Sequence, residues 1–331
     1  MRPFTSIAAV LATSLGLVAS LPAQTTVSTV PVGFNTTTIA SGRLAALSLP
    51  FDNISAFSGG ITSRTASSIT TTGAAFGSLS AASAPHVVRF VSGSSIGRQF
   101  RITANTTDTL TLATGGVDLT TATANGDTYD VIPVHTLGSF FGAAPDANKP
   151  AINRNGDPNL ADNVLLRGTF GYLTYYNDGT KWLLVGGGNT VQNDVPLFSD
   201  QGFLFQRRSG SALSITMLGS VPRSALRTDL LANRTTIFPN RFPVDTTLNG
   251  LNLHSNAQWN KNDDPNLADN ILIRGSFGWL TYYVNAAGQW RLSGGGTTDQ
   301  GATAVPLNSA VLAVRRAGST VTLTQNLPYN L

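Results

Sequence analysis

The chain has no cysteine, only three histidines and little charge: 11% of its 331 residues are Asp, Glu, Lys or Arg, against about 25% in typical soluble domains. Without cysteine there can be no disulfides, no thiolate metal site and no thiol nucleophile. Stability must therefore come from packing, and an exported chain built this way points to a bacterial source. His86, His135 and His254 are isolated in the sequence, and a catalytic triad or zinc site needs partners that converge. The formal net charge of +4 reflects few acids rather than clustered bases. Apart from two Arg-Arg dipeptides the basic residues are scattered, which argues against nucleic-acid binding.

Long apolar runs are also missing after the first 24 residues. Arg2 precedes an apolar stretch from Ile7 to Leu21 that ends at Leu21-Pro22-Ala23, the pattern of a secretory signal peptide over residues 1–24. Thr13, Ser14 and Gly16 dilute it, and a membrane span needs about 20 apolar residues. No lipidation or C-terminal anchoring signal follows. The expectation is a secreted chain (periplasm, cell surface or extracellular) with no transmembrane segment after signal removal.

What the sequence does contain is a repeat. Asp157 to Trp182 reads DPNLADNVLLRGTFGYLTYYNDGTKW, and Asp264 to Trp290 reads DPNLADNILIRGSFGWLTYYVNAAGQW. The match continues through Gly186-Gly187-Gly188 against Gly294-Gly295-Gly296, and through Arg207-Arg208 against Arg315-Arg316. This defines two duplicated modules, 131–222 and 241–331. Leu213 and Ile215 match Val321 and Leu323, with hydroxylic residues between them in both copies, as in a half-buried antiparallel strand. Trp182 and Leu184 match Trp290 and Leu292, whereas Leu183 is replaced by Arg291. The Trp face is expected to point inward and the Leu183 position outward. Residues 223–240 read as a linker, with a helical turn around Ser224 to Ala232 or a plain loop, because Leu226 and Leu230 lie one helical turn apart.

Residues 25–130 form an N-terminal β domain. Phe100 and Ile102 alternate with polar neighbours, as do Leu110 and Leu112 across a turn-like link, which is a hairpin signal. Short strands spaced this evenly suggest a small barrel or sandwich. The fold expected is all-β: an N-terminal barrel or sandwich, then two duplicated antiparallel modules.

The order of an Asp-Asn-(Val/Ile)-Leu strand, a Tyr-Tyr strand, Lys/Gln-Trp, an Arg-Arg strand and a final Leu-Thr strand resembles an uncharacterised family of exported bacterial β proteins. Arg98 to Leu112 resembles that family's N-terminal region. The resemblance covers nearly the whole chain after the signal and implies no activity.

Four patterns bear on chemistry. Gly93-Ser94-Ser95-Ile96-Gly97 fits the nucleophile-elbow pattern around Ser95, but no βαβ series surrounds it and a Gly-Ser turn is the better reading. The Gly triplets lack the Lys-Ser/Thr and helix of a phosphate-binding loop. Asp157, Asn159 and Asp162, with Asp264, Asn266 and Asp269, alternate oxygens as a calcium loop does. They lack its glycine and closing glutamate, and Asp before Pro enters a turn without metal. They stand as weak calcium candidates, with no metal or cofactor expected. Tyr172, Tyr175, Tyr176 and Trp182, with Trp279, Tyr282, Tyr283 and Trp290, could stack sugars, although core packing is the commoner use of such rings.

The function expected is that of a non-enzymatic structural or surface-interaction protein of a bacterial cell envelope. Its partners would be other envelope proteins, further copies of itself, or glycans. The alternative is a carbohydrate-binding protein using the repeated rings. A serine hydrolase would rest on Ser95 alone.

Overall fold

The computed structural model describes residues 30–316 and 318–330, so the expected signal peptide lies outside the described residues. Among the described residues nearly all regular structure is antiparallel β, with two short helices, Leu119–Ala122 and Leu137–Phe141. No helix among the described residues is long and apolar enough to cross a membrane.

Module 1 centres on a five-stranded sheet in the order Trp182–Leu184, Tyr172–Asn177, Asn163–Arg167, Phe203–Gln206, Leu44–Leu47. A ribbon of Val32–Ile39 paired with Leu213–Ser220 accompanies it. Module 2 has the same plan: Trp290–Leu292, Trp279–Val284, Asn270–Arg274, Ala310–Val314, Thr235–Pro239, with a ribbon of Leu226–Leu230 and Val321–Gln325. Registers coincide residue by residue. Val164 faces Tyr175 where Ile271 faces Tyr282, and Phe205 faces Ala45 where Ala313 faces Thr236.

Two expected boundaries change as a result. Val32–Ile39 and Leu44–Leu47 belong by pairing to module 1, not to the N-terminal domain. The linker expected over 223–240 contains the first two strands of module 2. The helical turn expected around Ser224 to Ala232 is a strand, because Leu226, Thr228 and Leu230 are all buried at period two against Val321–Gln325. A spacing of four is even, so the two leucines fit a strand face as well as a helical turn. Gly42 and Asn233 occupy the turns that lead from each ribbon strand to the following sheet strand, with φ of 71° and 53°, and glycine and asparagine are the residues that tolerate this left-handed backbone. The next residues, Arg43 and Arg234, each accept a backbone hydrogen bond at 2.9 Å, from Arg207 and Arg315.

Between these strands and the rest of the module, module 2 has only residues 240–245, whereas module 1 has 48–134. A seven-stranded sheet fills that span, in the order Phe57–Gly60, Thr128–Pro133, His86–Phe90, Gln99–Asn105, Thr109–Ala113, Ser68–Thr70, Ser63–Arg64. Its two edges are consecutive pieces of one segment, so the sheet curls back on itself as a barrel-like unit around Phe90, Phe100, Leu110 and Tyr129. The N-terminal domain is therefore an insertion in module 1, and the hairpin expected around Phe100 and Leu110 forms its centre.

Each module core buries an indole at the same position: Trp182 and Trp290 are both 0% exposed. Differences between the cores offset one another in volume. Phe203 and Phe205 of module 1 stand at the positions of Val311 and Ala313, while module 2 places the large Trp259 in its core and module 1 has the smaller Ile152, as volume-conserving exchange requires. The outward position expected for Leu183 is incorrect: it is 4% exposed. Its counterpart Arg291 is half-buried and sends its guanidinium to the carbonyl of Thr297 and the side chain of Gln289. Arginine can bury its stem while its head stays polar-bonded, so an exchange of Leu for Arg does not by itself mark a solvent-facing site.

The modules meet through matching positions. Ala46, Leu165 and Leu204 of the first pack with Ile237, Leu272 and Leu312 of the second, an approximately two-fold contact. A Cβ at Gly202 would fall 2.6 Å from Ala310 Cβ and 2.7 Å from Ile237 Cγ2, so this approach requires glycine.

Candidate functional site

The residues singled out for chemistry do not assemble into one centre. Asp157 and Asp264 are exposed, and each accepts the backbone N–H two residues on, from Asn159 and Asn266, at 2.8 Å. These are Asx turns. Asp162 and Asp269 are 0% exposed and turned into the modules. Asp162 accepts from Arg207 Nη1, from Arg208 N at 2.8 Å and from Asn153 N at 2.8 Å. Asp269 accepts from Arg315 Nη1 at 2.6 Å, from Arg316 N at 2.8 Å and from Asn260 N at 2.8 Å. The first arginine of each Arg-Arg dipeptide is thus a buried clamp, while Arg208 and Arg316 stay exposed. No three His, Cys, Asp or Glu side chains come together to hold a metal among the described residues. Chelator should leave the melting temperature unchanged, whereas a metal bound only by the folded state would raise it; a fall of several degrees, restored by calcium, would overturn the Asx-turn reading.

Ser95 is 2% exposed and its hydroxyl donates to the carbonyl of Ala122 at 2.6 Å. It is a turn residue with its proton engaged. Burial, with Lys149 nearby, pushes the His135 imidazole below its ordinary pKa. Gly186, Gly188, Gly294 and Gly296 all have positive φ, as loop glycines do. Of the aromatics, Trp182 and Trp290 are sealed, and Tyr175 and Tyr282 are 5% exposed, so these four rings offer no face to a sugar. Tyr172 and Trp279 lie nearer the surface with Arg167 and Arg274 over their rings, at 5.5 Å and 5.6 Å.

Sequence reading missed two features. The first is the hairpin tip of each module: Phe170 and Phe277 occupy equivalent positions and are fully exposed. The second is a cleft of about 430 Å³ where the barrel and both modules meet. Arg98 and Gln99 of the barrel, Arg167 and Thr169 of the module 1 hairpin, Asp200 and Gln201, and Arg227, Asp229 and Arg234 of module 2 line it. Four guanidiniums thus face two carboxylates. Arg98 lies 4.0 Å from Asp229, and Arg227 donates to the carbonyl of Ser94 at 2.7 Å. Burial, then the neighbouring Arg98, hold the Arg227 guanidinium below its usual pKa against the opposing pull of Asp229. Asp200 Oδ1, Gln99 Nε2, Arg227 Nε and Thr228 Oγ1 are shielded from solvent and have no hydrogen-bond partner among the described residues. Such groups carry a desolvation cost until a ligand or water engages them.

Behind the cleft a buried polar network fixes the barrel. Asp52 takes both Arg89 amino groups, and Arg89 Nη2 also donates to Gln99 Oε1 at 2.9 Å. Arg241 of module 2 donates to the same Gln99 oxygen at 3.3 Å and to the carbonyl of Arg227 at 2.8 Å. Burial, with Arg89 close by, pulls the Arg241 guanidinium down to about 10, so it remains charged at neutral pH. The one sequence signal for this site is that 18 of the 21 cationic residues are arginine, the side chain that binds oxyanions through a planar fork. No protein-family model, no curated protein and no solved structure matches the chain.

Proposed function

We propose that the protein is a non-enzymatic, exported interaction protein of a bacterial cell envelope, built from two copies of one β module. The observation that carries this reading is the pair of fully exposed phenylalanines, Phe170 and Phe277, at matching hairpin tips. An exposed aromatic has no packing role in its own module, and aromatics are enriched where proteins meet partners. Two copies on one chain allow bivalent attachment, which raises retention without new contacts. Changing both residues to Ser should alter stability by less than about 0.5 kcal/mol, as for surface sites without special contacts. The same double variant should be released into the medium while the parent stays with the cell surface. Recovery of the parent wholly in the medium, or equal retention of the variant, would overturn the reading.

A carbohydrate-binding function is the second reading. The sealed indoles count against the ring platform, and the arginine-lined cleft, with its hydroxyl and amide groups, counts in favour of a site elsewhere.

A further inference from the structure

We propose that the cleft walled by the barrel, the Thr169 hairpin and the Thr235 strand binds a small hydroxylated acid, a sugar carboxylate of the uronic-acid type. This assignment is independent of the exposed phenylalanines, since none of the cleft's lining comes from them.

The argument starts from an asymmetry between equivalent places. At each end of the module contact, a hairpin arginine of one module lines a groove with a turn arginine of the other: Arg167 with Arg234, and Arg274 with Arg43. At the Arg274 end, Arg43 donates to the carbonyl of Ser276 at 2.5 Å, and no barrel residue lines the groove. At the Arg167 end, the inserted barrel supplies a third wall carrying Arg98 and Gln99, and module 2 adds Arg227. The insertion thus adds a third wall and further arginines to one of two equivalent grooves and makes it a cationic cleft.

The lining selects the ligand. Guanidiniums pair with oxyanions through charge-assisted hydrogen bonds, and neither Arg167 nor Arg234 has an acid partner among the described residues. Asp200 is a half-buried residue of the lining, and a carboxylate can only accept, which calls for a ligand O–H. Thr169 and Gln201, both exposed, and the half-buried Thr235 offer further polar groups to a hydroxylated body. A volume of about 430 Å³ lies in the range of small-molecule sites. An inorganic anion would leave most of it to water.

Titration calorimetry on residues 25–331 with galacturonic acid, its dimer, galactose and inorganic phosphate tests the assignment. The acids should bind, galactose should not, and affinity should fall with added salt. Arg167→Ala with Arg234→Ala should weaken binding about tenfold or more, the loss expected for two charged hydrogen bonds. Arg43→Ala with Arg274→Ala removes the same charge at the open groove and should leave affinity within about twofold. If the first double variant loses its melting transition, Arg167→Gln with Arg234→Gln takes its place. The proposal fails if galactose or phosphate binds as tightly as the acids. It also fails if the open-groove variant is equally weakened, or if the acids give no heat up to about 10 mM.

Discussion

Replacing Asp162 by Ala should lower the stability of the protein by about 3–5 kcal/mol, the cost of removing one partner of a buried ion pair. Asp162 is 0% exposed and Arg207 is 5% exposed, so the guanidinium left behind cannot reach solvent without local opening. Three donors lose their acceptor together: Arg207 Nη1 and the backbone N–H groups of Arg208 and Asn153. Arg207 and Arg208 directly follow the Phe203–Gln206 strand and Asp162 directly precedes the Asn163–Arg167 strand, so the damage extends to the sheet. The neighbouring Asp157→Ala, in an exposed turn, should cost about 0.5 kcal/mol or less. Urea denaturation followed by indole fluorescence separates the two. Asp162→Ala combined with Arg207→Met should recover part of the loss, because an apolar pair tolerates burial better than a lone charge. A shift below about 1 kcal/mol for Asp162→Ala would show that the buried clamp is not what orders the module.

The contrast between these aspartates shows what the sequence can and cannot convey. Asp157 and Asp162 are identical between the copies in the same way as Asp264 and Asp269, yet one pair of positions forms Asx turns and the other forms core ion pairs. Repetition marks both as constrained and cannot say by what. Parity was more informative. Leu213 and Ile215 against Val321 and Leu323 read as an inward face and are buried in both modules. Parity failed where its chemistry was ambiguous. Leu226 and Leu230 suit a helical turn and a strand equally, and Leu183 against Arg291 looks solvent-facing because arginine is counted as polar along its whole length.

The first strands of module 1 were illegible for another reason. Leu44-Ala45-Ala46-Leu47 and Thr235-Thr236-Ile237-Phe238 share no residue, and a shared register against Phe203–Gln206 and Ala310–Val314 reveals their equivalence. Backbone pairing tolerates this divergence because the ladder is made by N–H and C=O groups common to both. Without that equivalence the barrel reads as a leading domain, although it is inserted between two strands of a module. The cleft was hidden by the same arrangement: Arg98, Arg167, Arg227 and Arg234 are scattered along the chain and converge only because the insertion folds back over the module contact.

Trp182→Ala should also destabilise by about 3–5 kcal/mol, the range for deleting a large buried aromatic, and Trp290→Ala should do the same in module 2. Both indoles are 0% exposed at equivalent positions. Trp182 packs 5.6 Å from Phe141, which in turn stacks 5.5 Å from Phe205, so the cavity opens in the centre of an aromatic cluster that cannot collapse without moving two strands. The two sites differ in one respect that makes the test sharper. Trp182 Nε1 donates to the carbonyl of Gly142 at 3.0 Å, whereas Trp290 Nε1 has no hydrogen-bond partner among the described residues. Trp→Phe should therefore cost more at 182 than at 290 by about 1 kcal/mol, the net value of one buried hydrogen bond. Trp290→Phe even removes a polar atom that is buried without compensation. The measurement is the denaturation midpoint of each variant beside the parent. Equal midpoints for Trp182→Ala and the parent would remove the indole from the core of module 1, and a larger penalty for Phe at 290 than at 182 would reverse the assignment of the hydrogen bond.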